Sequence, residues 1–237
     1  MNAIFAKPFT APAELEVPGL DQKTMRFIDA SQLFMILYTI VVAITNAGAM
    51  SASVLTLIVF PSYLAYTLIT RNPLMIRLMI FGFVLGWVEL IADHFAVVTA
   101  DSLRYYPNEE PYMVWTSPLY MPFAWTEVAL QVALLGIRLT QRWGLGLASL
   151  VLMIAGGAYV FFYENLAKAA GWWHYENVAM LWNTPYFISG AEMLLFLILP
   201  AVMLLIIKQP LWKAALWGAL CSLWIWVTAY ACHILFS

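Results

Sequence analysis

Leu78-Met-Ile-Phe-Gly-Phe-Val-Leu-Gly-Trp-Val-Glu-Leu-Ile-Ala-Asp-His-Phe-Ala-Val-Val98 is long and apolar enough to cross a bilayer, yet it holds Glu89, Asp93 and His94. A spanning helix needs about 20 mostly apolar residues. Ionisable side chains within one are costly unless paired, protonated or wetted. Glu89 and Asp93 are four apart and so share a helix face. The stretch reads as a membrane helix with an acidic face near one end.

Six further stretches have the same character, at about 27–47, 54–70, 118–139, 145–163, 186–207 and 214–236. With 78–98 they make an all-α polytopic membrane protein of about seven spans. Hydrophobic residues are 64% of the 237 and charged residues 10%, a balance outside the soluble range. The chain divides into an N-terminal segment, 1–26, and a transmembrane domain, 27–237. Residues 1–22 hold Lys7, Glu14, Glu16 and Asp21 among prolines, without the apolar core of a cleavable signal peptide, and read as a tail or surface segment.

With the N-terminus cytoplasmic, Lys7, Lys23, Arg26, Arg71, Arg77, Arg138, Arg142, Lys208 and Lys213 fall on that side, and Arg104 and Lys168 opposite. Basic loop residues favour the cytoplasmic face. The expected topology is therefore N-in and C-out, in a membrane such as the bacterial inner membrane. A net charge of −2 without a basic cluster argues against nucleic acid as a partner. Membrane lipid and a hydrophobic small molecule are the expected partners, with a homo-oligomer or a membrane complex left open. Cys221 and Cys232 lie eleven apart on the last span, too far to bridge, and read as packing residues.

Beyond Asp29, every acidic residue lies on or toward the non-cytoplasmic side. Asp101, Glu109, Glu110 and Glu176 belong to the two long outer connections and read as solvated charge. Glu89, Asp93, Glu127, Glu164 and Glu192 fall within or at the outer ends of spans three to six, and Gln131 follows Glu127 by one turn. A single such carboxylate reads as interhelical glue. Five at one depth, from four helices, read as a shared cavity into which Glu89, Glu127, Glu164 and Glu192 point.

The same spans carry an internal repeat. Met113-Val-Trp115-Thr-Ser-Pro118 precedes span four, and Met180-Leu-Trp182-Asn-Thr-Pro185 precedes span six. Glu127 follows one motif and Glu192 the other, while Glu89 ends span three much as Glu164 ends span five. The connections echo each other as Arg104-Tyr-Tyr-Pro-Asn-Glu-Glu110 against Trp173-His-Tyr-Glu-Asn177. Units two spans apart share one orientation, so spans 3–4 and 5–6 form a parallel repeat. Within each motif the Ser/Thr-Pro pair reads as a helix start, with the hydroxyl as cap and proline in the first turn.

The outer connections are rich in aromatic residues, among them Trp115, Trp125, Trp173, Tyr175 and Trp182, the candidate substrate contacts. Part of this is an interfacial aromatic belt. Carboxyl groups in a dry aromatic pocket also meet the needs of acid-initiated isoprenoid chemistry. A carboxyl group kept from water can hold a proton at neutral pH, and aromatic faces stabilise the carbocation that forms when an alkene takes it. Such chemistry requires no cofactor.

Gly171-Trp-Trp-His-Tyr175, Pro185 and Glu192-Met-Leu-Leu-Phe-Leu-Ile-Leu-Pro200 together resemble membrane carotenoid-biosynthesis proteins, the heterodimer-type lycopene cyclases and carotenoid hydratases. Phe123-Ala-Trp-Thr-Glu127 is similar to the acidic helix of small membrane-bound meroterpenoid cyclases. The cyclase pattern has a Pro-x-Glu-Glu cluster, whereas here Glu192 stands alone seven residues after Pro185. The resemblance implies about seven spans, repeated helix units and acids that protonate a polyene. It implies Glu127 and Glu192 as the acids, with Glu89, Asp93 and Glu164 holding a proton or stabilising positive charge. His94 or His174 would return the proton.

Two other readings use the same residues. Glu89, His94, Glu127, Glu164, His174 and Glu192 form a ligand inventory for a di-iron or other divalent metal site of an oxidase or hydroxylase. The five-residue spacing of Glu89 and His94 departs from the usual Glu-x-x-His, and His174 lies in a connection. Alternatively, the chain is a pigment- or lipid-binding subunit whose carboxylates are structural.

Overall fold

The structure, a computed structural model, describes residues 15–106 and 112–236. Seven helices are long and apolar enough to cross a membrane. They are α1 (Gln22–Thr45), α2 (Met50–Thr70), α3 (Pro73–His94, continued by a π turn, Phe95–Thr99), α4 (Met121–Trp143), α5 (Leu145–Ala170), α6 (Tyr186–Ile206) and α7 (Leu211–Phe236). The chain is thus a multi-pass integral membrane protein with an all-α fold.

Local chemistry sets the ends. Asp21 caps α1 by accepting from the Thr24 amide at 2.8 Å, so this helix starts five residues ahead of the expected 27. The described residues just before it, 15–21, are docked on the bundle: Val17 is buried, and the Gly19 carbonyl accepts from Asn72 Nδ2 at 2.8 Å. Asn72 also caps α3 by accepting from the Leu74 and Met75 amides, with Pro73 in the first turn where its missing N–H costs nothing. The described basic residues lie at one end of the bundle, except Arg104 and Lys168, which sit at the other.

Three short ladders cover that other end. The strands are β1 (Leu103–Tyr105), β2 (Met113–Val114), β3 (Ser117–Pro118), β4 (Trp173–Tyr175), β5 (Met180–Leu181) and β6 (Thr184–Pro185). β2 and β3 form a tight hairpin, as do β5 and β6. Each hairpin places a tryptophan, Trp115 at φ 58° and Trp182 at φ 56°, in the left-handed region that favours glycine. β1 and β4 pair antiparallel, Arg104 opposite His174, and tie the two outer connections together.

Both motifs of the repeat therefore fold alike, as hairpins ahead of a helix, with Pro185 the residue just before α6 but neither hydroxyl acting as a cap. Ser117-Pro118 and Thr184-Pro185 are strand residues, and neither α4 nor α6 has a side-chain cap. Ser117 instead donates to Asp93. A hydroxyl beside proline satisfies a buried carboxylate here, which the local pattern does not distinguish from a cap.

The repeat is α3–β1–β2–β3–α4 against α5–β4–β5–β6–α6, and its internal register differs from the expected one. Asp93, not Glu89, matches Glu164: each lies six residues before its helical segment ends, at Thr99 and Ala170, and the π turn of α3 absorbs the extra residue between Asp93 and β1. A turn at Leu119–Tyr120, without counterpart before α6, likewise absorbs the unequal spacing after the prolines. Glu127 and Glu192 then lie six residues beyond the first residue of their helices.

α7 packs against α3 of one unit and α6 of the other, while α1 and α2 stay peripheral, with Leu33, Leu37, Ile44 and Ile69 exposed. Glycine allows the closest crossings. A Cβ on Gly86 of α3 would strike the Pro122 carbonyl of α4, and one on Gly218 of α7 would strike the Phe81 carbonyl of α3. Close approach of this kind replaces the hydrophobic effect as the packing force in lipid.

Candidate functional site

A cavity of about 280 Å³ lies beneath the β1–β4 ladder, and Glu89, Asp93, Glu127, Glu164 and Glu192 all line it. The sequence expectation of one cavity shared by the carboxylates of spans three to six thus matches the geometry. α1, α2 and α7 add wall residues. The ladder is two-faced because strand side chains alternate. Leu103, Tyr105, Trp173 and Tyr175 line the cavity. Arg104 points away and pairs at 2.6 Å with both Asp101 and Glu176.

Two carboxylates are held by the ladder in matching ways. Asp93 accepts from Tyr105 at 2.7 Å and from Ser117. Glu164 accepts from Trp173 Nε1 at 2.6 Å, and Tyr175, the counterpart of Tyr105, stands within its electrostatic reach. Burial, and after it the charges of Glu164, Glu192, Asp93 and Glu89, keeps the Tyr175 phenol well above its ordinary range. Tyr105 is raised in the same way, by burial first and Asp93 second.

The remaining carboxylates are less satisfied. Glu127 is wholly buried, and neither of its oxygens makes a hydrogen bond of ordinary geometry among the described residues, although the Phe60 backbone faces it from α2. Glu89 is 5% exposed, and its Oε2 has no partner there. Glu192 is partly buried and within electrostatic reach of Glu89, Glu164 and Tyr159. Buried polar atoms are nearly always paired, so unpaired carboxyl oxygens facing a cavity mark a place where something else binds or reacts.

Of the aromatic candidates, Trp125, Trp173 and Tyr175 line the cavity. Trp115 and Trp182 do not: they are 60% and 71% exposed at the hairpin tips, where the left-handed backbone turns them outward. His94 stacks on Trp115 at 4.1 Å, with Nδ1 3.3 Å from Thr116 Oγ1. His174, on the outer face of the ladder, lies 3.9 Å from Glu176. Neither histidine lines the cavity, because strand alternation and helix rotation direct both away from it. Among the described residues no three of His, Cys, Asp and Glu gather in a metal-holding arrangement. Glu109 and Glu110 lie outside the described residues.

The partners of Gln131, Tyr63 and Ser31, escaped the sequence reading. Gln131 Nε2 donates to Tyr63 OH at 2.8 Å, and Tyr63 bonds Ser31 in turn, linking α4, α2 and α1 one turn from Glu127. Polar residues on the inward faces of spans one and two were the available signal.

No curated protein and no solved structure matches the chain. A family model matches residues 90–236, more than half of the chain, which covers the six strands, α4 to α7 and the end of α3 with Asp93, but not Glu89, α1 or α2. The chain belongs to the family of the domain of unknown function DUF6989.

Proposed function

We propose that the protein is an integral membrane enzyme that acts on a hydrophobic isoprenoid, a carotenoid or terpenoid chain, by acid-initiated cyclisation, hydration or isomerisation. The observation that carries this reading is Glu127: wholly buried, on the wall of an aromatic cavity, with both oxygens lacking an ordinary hydrogen bond. The likeness of Phe123-Ala-Trp-Thr-Glu127 and of the Gly171–Pro200 region to membrane isoprenoid cyclases adds to it.

In the reaction, the O–H bond of the Glu127 carboxyl group breaks as its proton adds to a substrate double bond. The π pair forms the new C–H bond, leaving a carbocation on the chain and a carboxylate on Glu127. Trp125, Trp173 and Tyr175 present ring faces to that cation. Attack by a second double bond closes a ring, attack by water gives an alcohol, and loss of a neighbouring proton moves the double bond. The proton released in each case passes to a cavity carboxylate, with Glu89 and Glu192 placed for this role. Asp93 and Glu164, held by the ladder, act as positioning residues.

We further place the N-terminus in the cytoplasm and the ladder end outside, in a bacterial inner membrane, on the strength of the basic residues gathered at the opposite end. Expression in cells that make lycopene or other polyprenyl precursors, followed by pigment and lipid profiling, tests the activity. A new isoprenoid product in wild-type cells that vanishes with Glu127→Gln supports it. Indistinguishable profiles overturn it.

A further inference from the structure

The walls of the cavity offer acids without bases. Among the described residues five carboxyl groups line it, and no lysine, arginine or histidine does. The basic residue nearest in sequence to the ladder, Arg104, is turned outward and engaged by Asp101 and Glu176. Hydrogen-bond donors reach Asp93 and Glu164, but Glu89 Oε2 has no partner among the described residues and Glu127 no ordinary hydrogen bond, although these two side chains are 5% and 0% exposed. A buried carboxyl group without a partner is costly to ionise, and a cationic ligand brings the counter-charge that removes that cost.

The cavity is also polarised along its length. Glu89, Asp93, Glu164 and Glu192 all act on Tyr175 at the ladder end. Leu135, Leu152 and Phe196 line it farther along their helices from the ladder, with Gln32 and Gln131 as the polar residues there. Trp125 and Tyr163 stand at the carboxyl end, two residues before Glu127 and one before Glu164. Aromatic faces beside carboxylates suit an ammonium group, and the apolar wall suits an alkyl chain.

We propose that the cavity is a binding site for a hydrophobic organic cation, a long alkyl chain ending in a protonated or quaternary amine. Its head lies at the carboxyl cluster around Tyr175 and its chain runs along the apolar wall. The inference shares its cavity with the isoprenoid reading but does not depend on any reaction there. If that chemistry also holds, the ammonium group occupies the place of the carbocation.

The test uses the full chain in lipid nanodiscs, with tryptophan fluorescence and thermal shift as readouts. N,N-dimethyldodecylamine, cationic at neutral pH, is compared with dodecanol, which has the same chain and no charge. The cation is expected to bind at least about tenfold more tightly. Glu89→Gln and Glu192→Gln should each reduce that preference, while Glu176→Gln, on the outer face of the ladder, should not. Equal binding of amine and alcohol by wild-type protein overturns the proposal, as does an unchanged preference in both cavity variants. The wild-type comparison stands even if a variant fails to fold. Cation preference without an isoprenoid product refutes only the enzymatic reading, and a product without cation preference refutes only this one.

Discussion

Tyr105 donates a 2.7 Å hydrogen bond to Asp93, and in the second unit Trp173 Nε1 donates one of 2.6 Å to Glu164. The repeat thus keeps an arrangement, a ladder aromatic holding the carboxylate near the end of the preceding helix, while the donor and the acid both change. Loss of one partner from a buried carboxylate costs about 1–3 kcal/mol. Tyr105→Phe should therefore lower unfolding stability in mixed micelles by about that amount, and Trp173→Phe, which removes the donor to Glu164, by at least as much. Unaltered stability in both would show that these contacts hold nothing in place.

Glu127 and Asp93 should respond oppositely to neutral isosteres. Asp93 accepts from two donors, so Asp93→Asn turns an NH₂ group toward one of them and should destabilise the fold by about 1–3 kcal/mol. Glu127 has no such donors to offend, and Glu127→Gln should leave stability equal or higher. Its product yield in the lycopene-producing host should nevertheless fall by about 10²–10⁴, the usual contribution of a general acid. Thermal melts beside product profiles separate the two effects.

Helix packing offers a contrast between two glycines. Gly86→Ala sets a methyl group against the Pro122 backbone, which cannot rotate away, and should cost about 1–3 kcal/mol or more. At Gly136 the same methyl group meets nothing closer than 3.4 Å, so Gly136→Ala should be neutral or stabilising by up to about 1 kcal/mol, through helix propensity. Unfolding of the two variants in one detergent reads the difference directly.

Alkaline stability should report on Tyr175. The unfolded chain ionises this phenol near pH 10, at about its reference value, whereas burial and the surrounding carboxylates keep it neutral in the fold. Its contribution is intact below about pH 10 and is lost as pH rises beyond that, because only the unfolded state then releases the proton. Tyr175→Phe should therefore melt with a shallower pH dependence than wild type above about pH 10. Parallel curves would place this phenol in contact with solvent.

The repeat shows how far local pattern reaches. Met113–Pro118 and Met180–Pro185 could be paired by eye because both units keep the same residue types at the same spacing. Their backbone could not be read so easily, since Ser/Thr-Pro serves a helix cap and a strand end equally well. The match of Asp93 with Glu164 was likewise hidden behind a π turn, which shifts register by a residue without leaving a compositional mark. Tyr63 and Ser31 went unremarked because a lone hydroxyl in an apolar span gives no indication of its partner until helices α1, α2 and α4 meet.

Sequence alone determined the seven spans, their alternation, the doubling of spans 3–4 as 5–6, and the depth at which the carboxylates lie. Each of these rests on local hydropathy and on the near-constant rise of a helix, which a bilayer of fixed thickness converts into position. Only the tertiary structure decided which carboxylates are satisfied. Asp93 is held by Tyr105 and Glu164 by Trp173, facing residues of a ladder that joins positions about seventy apart, and Glu127 is left facing the cavity without an ordinary hydrogen bond. Hydrogen bonding depends on distances of about 3 Å and on direction, and both are set by how helices rotate and pack rather than by where each begins and ends.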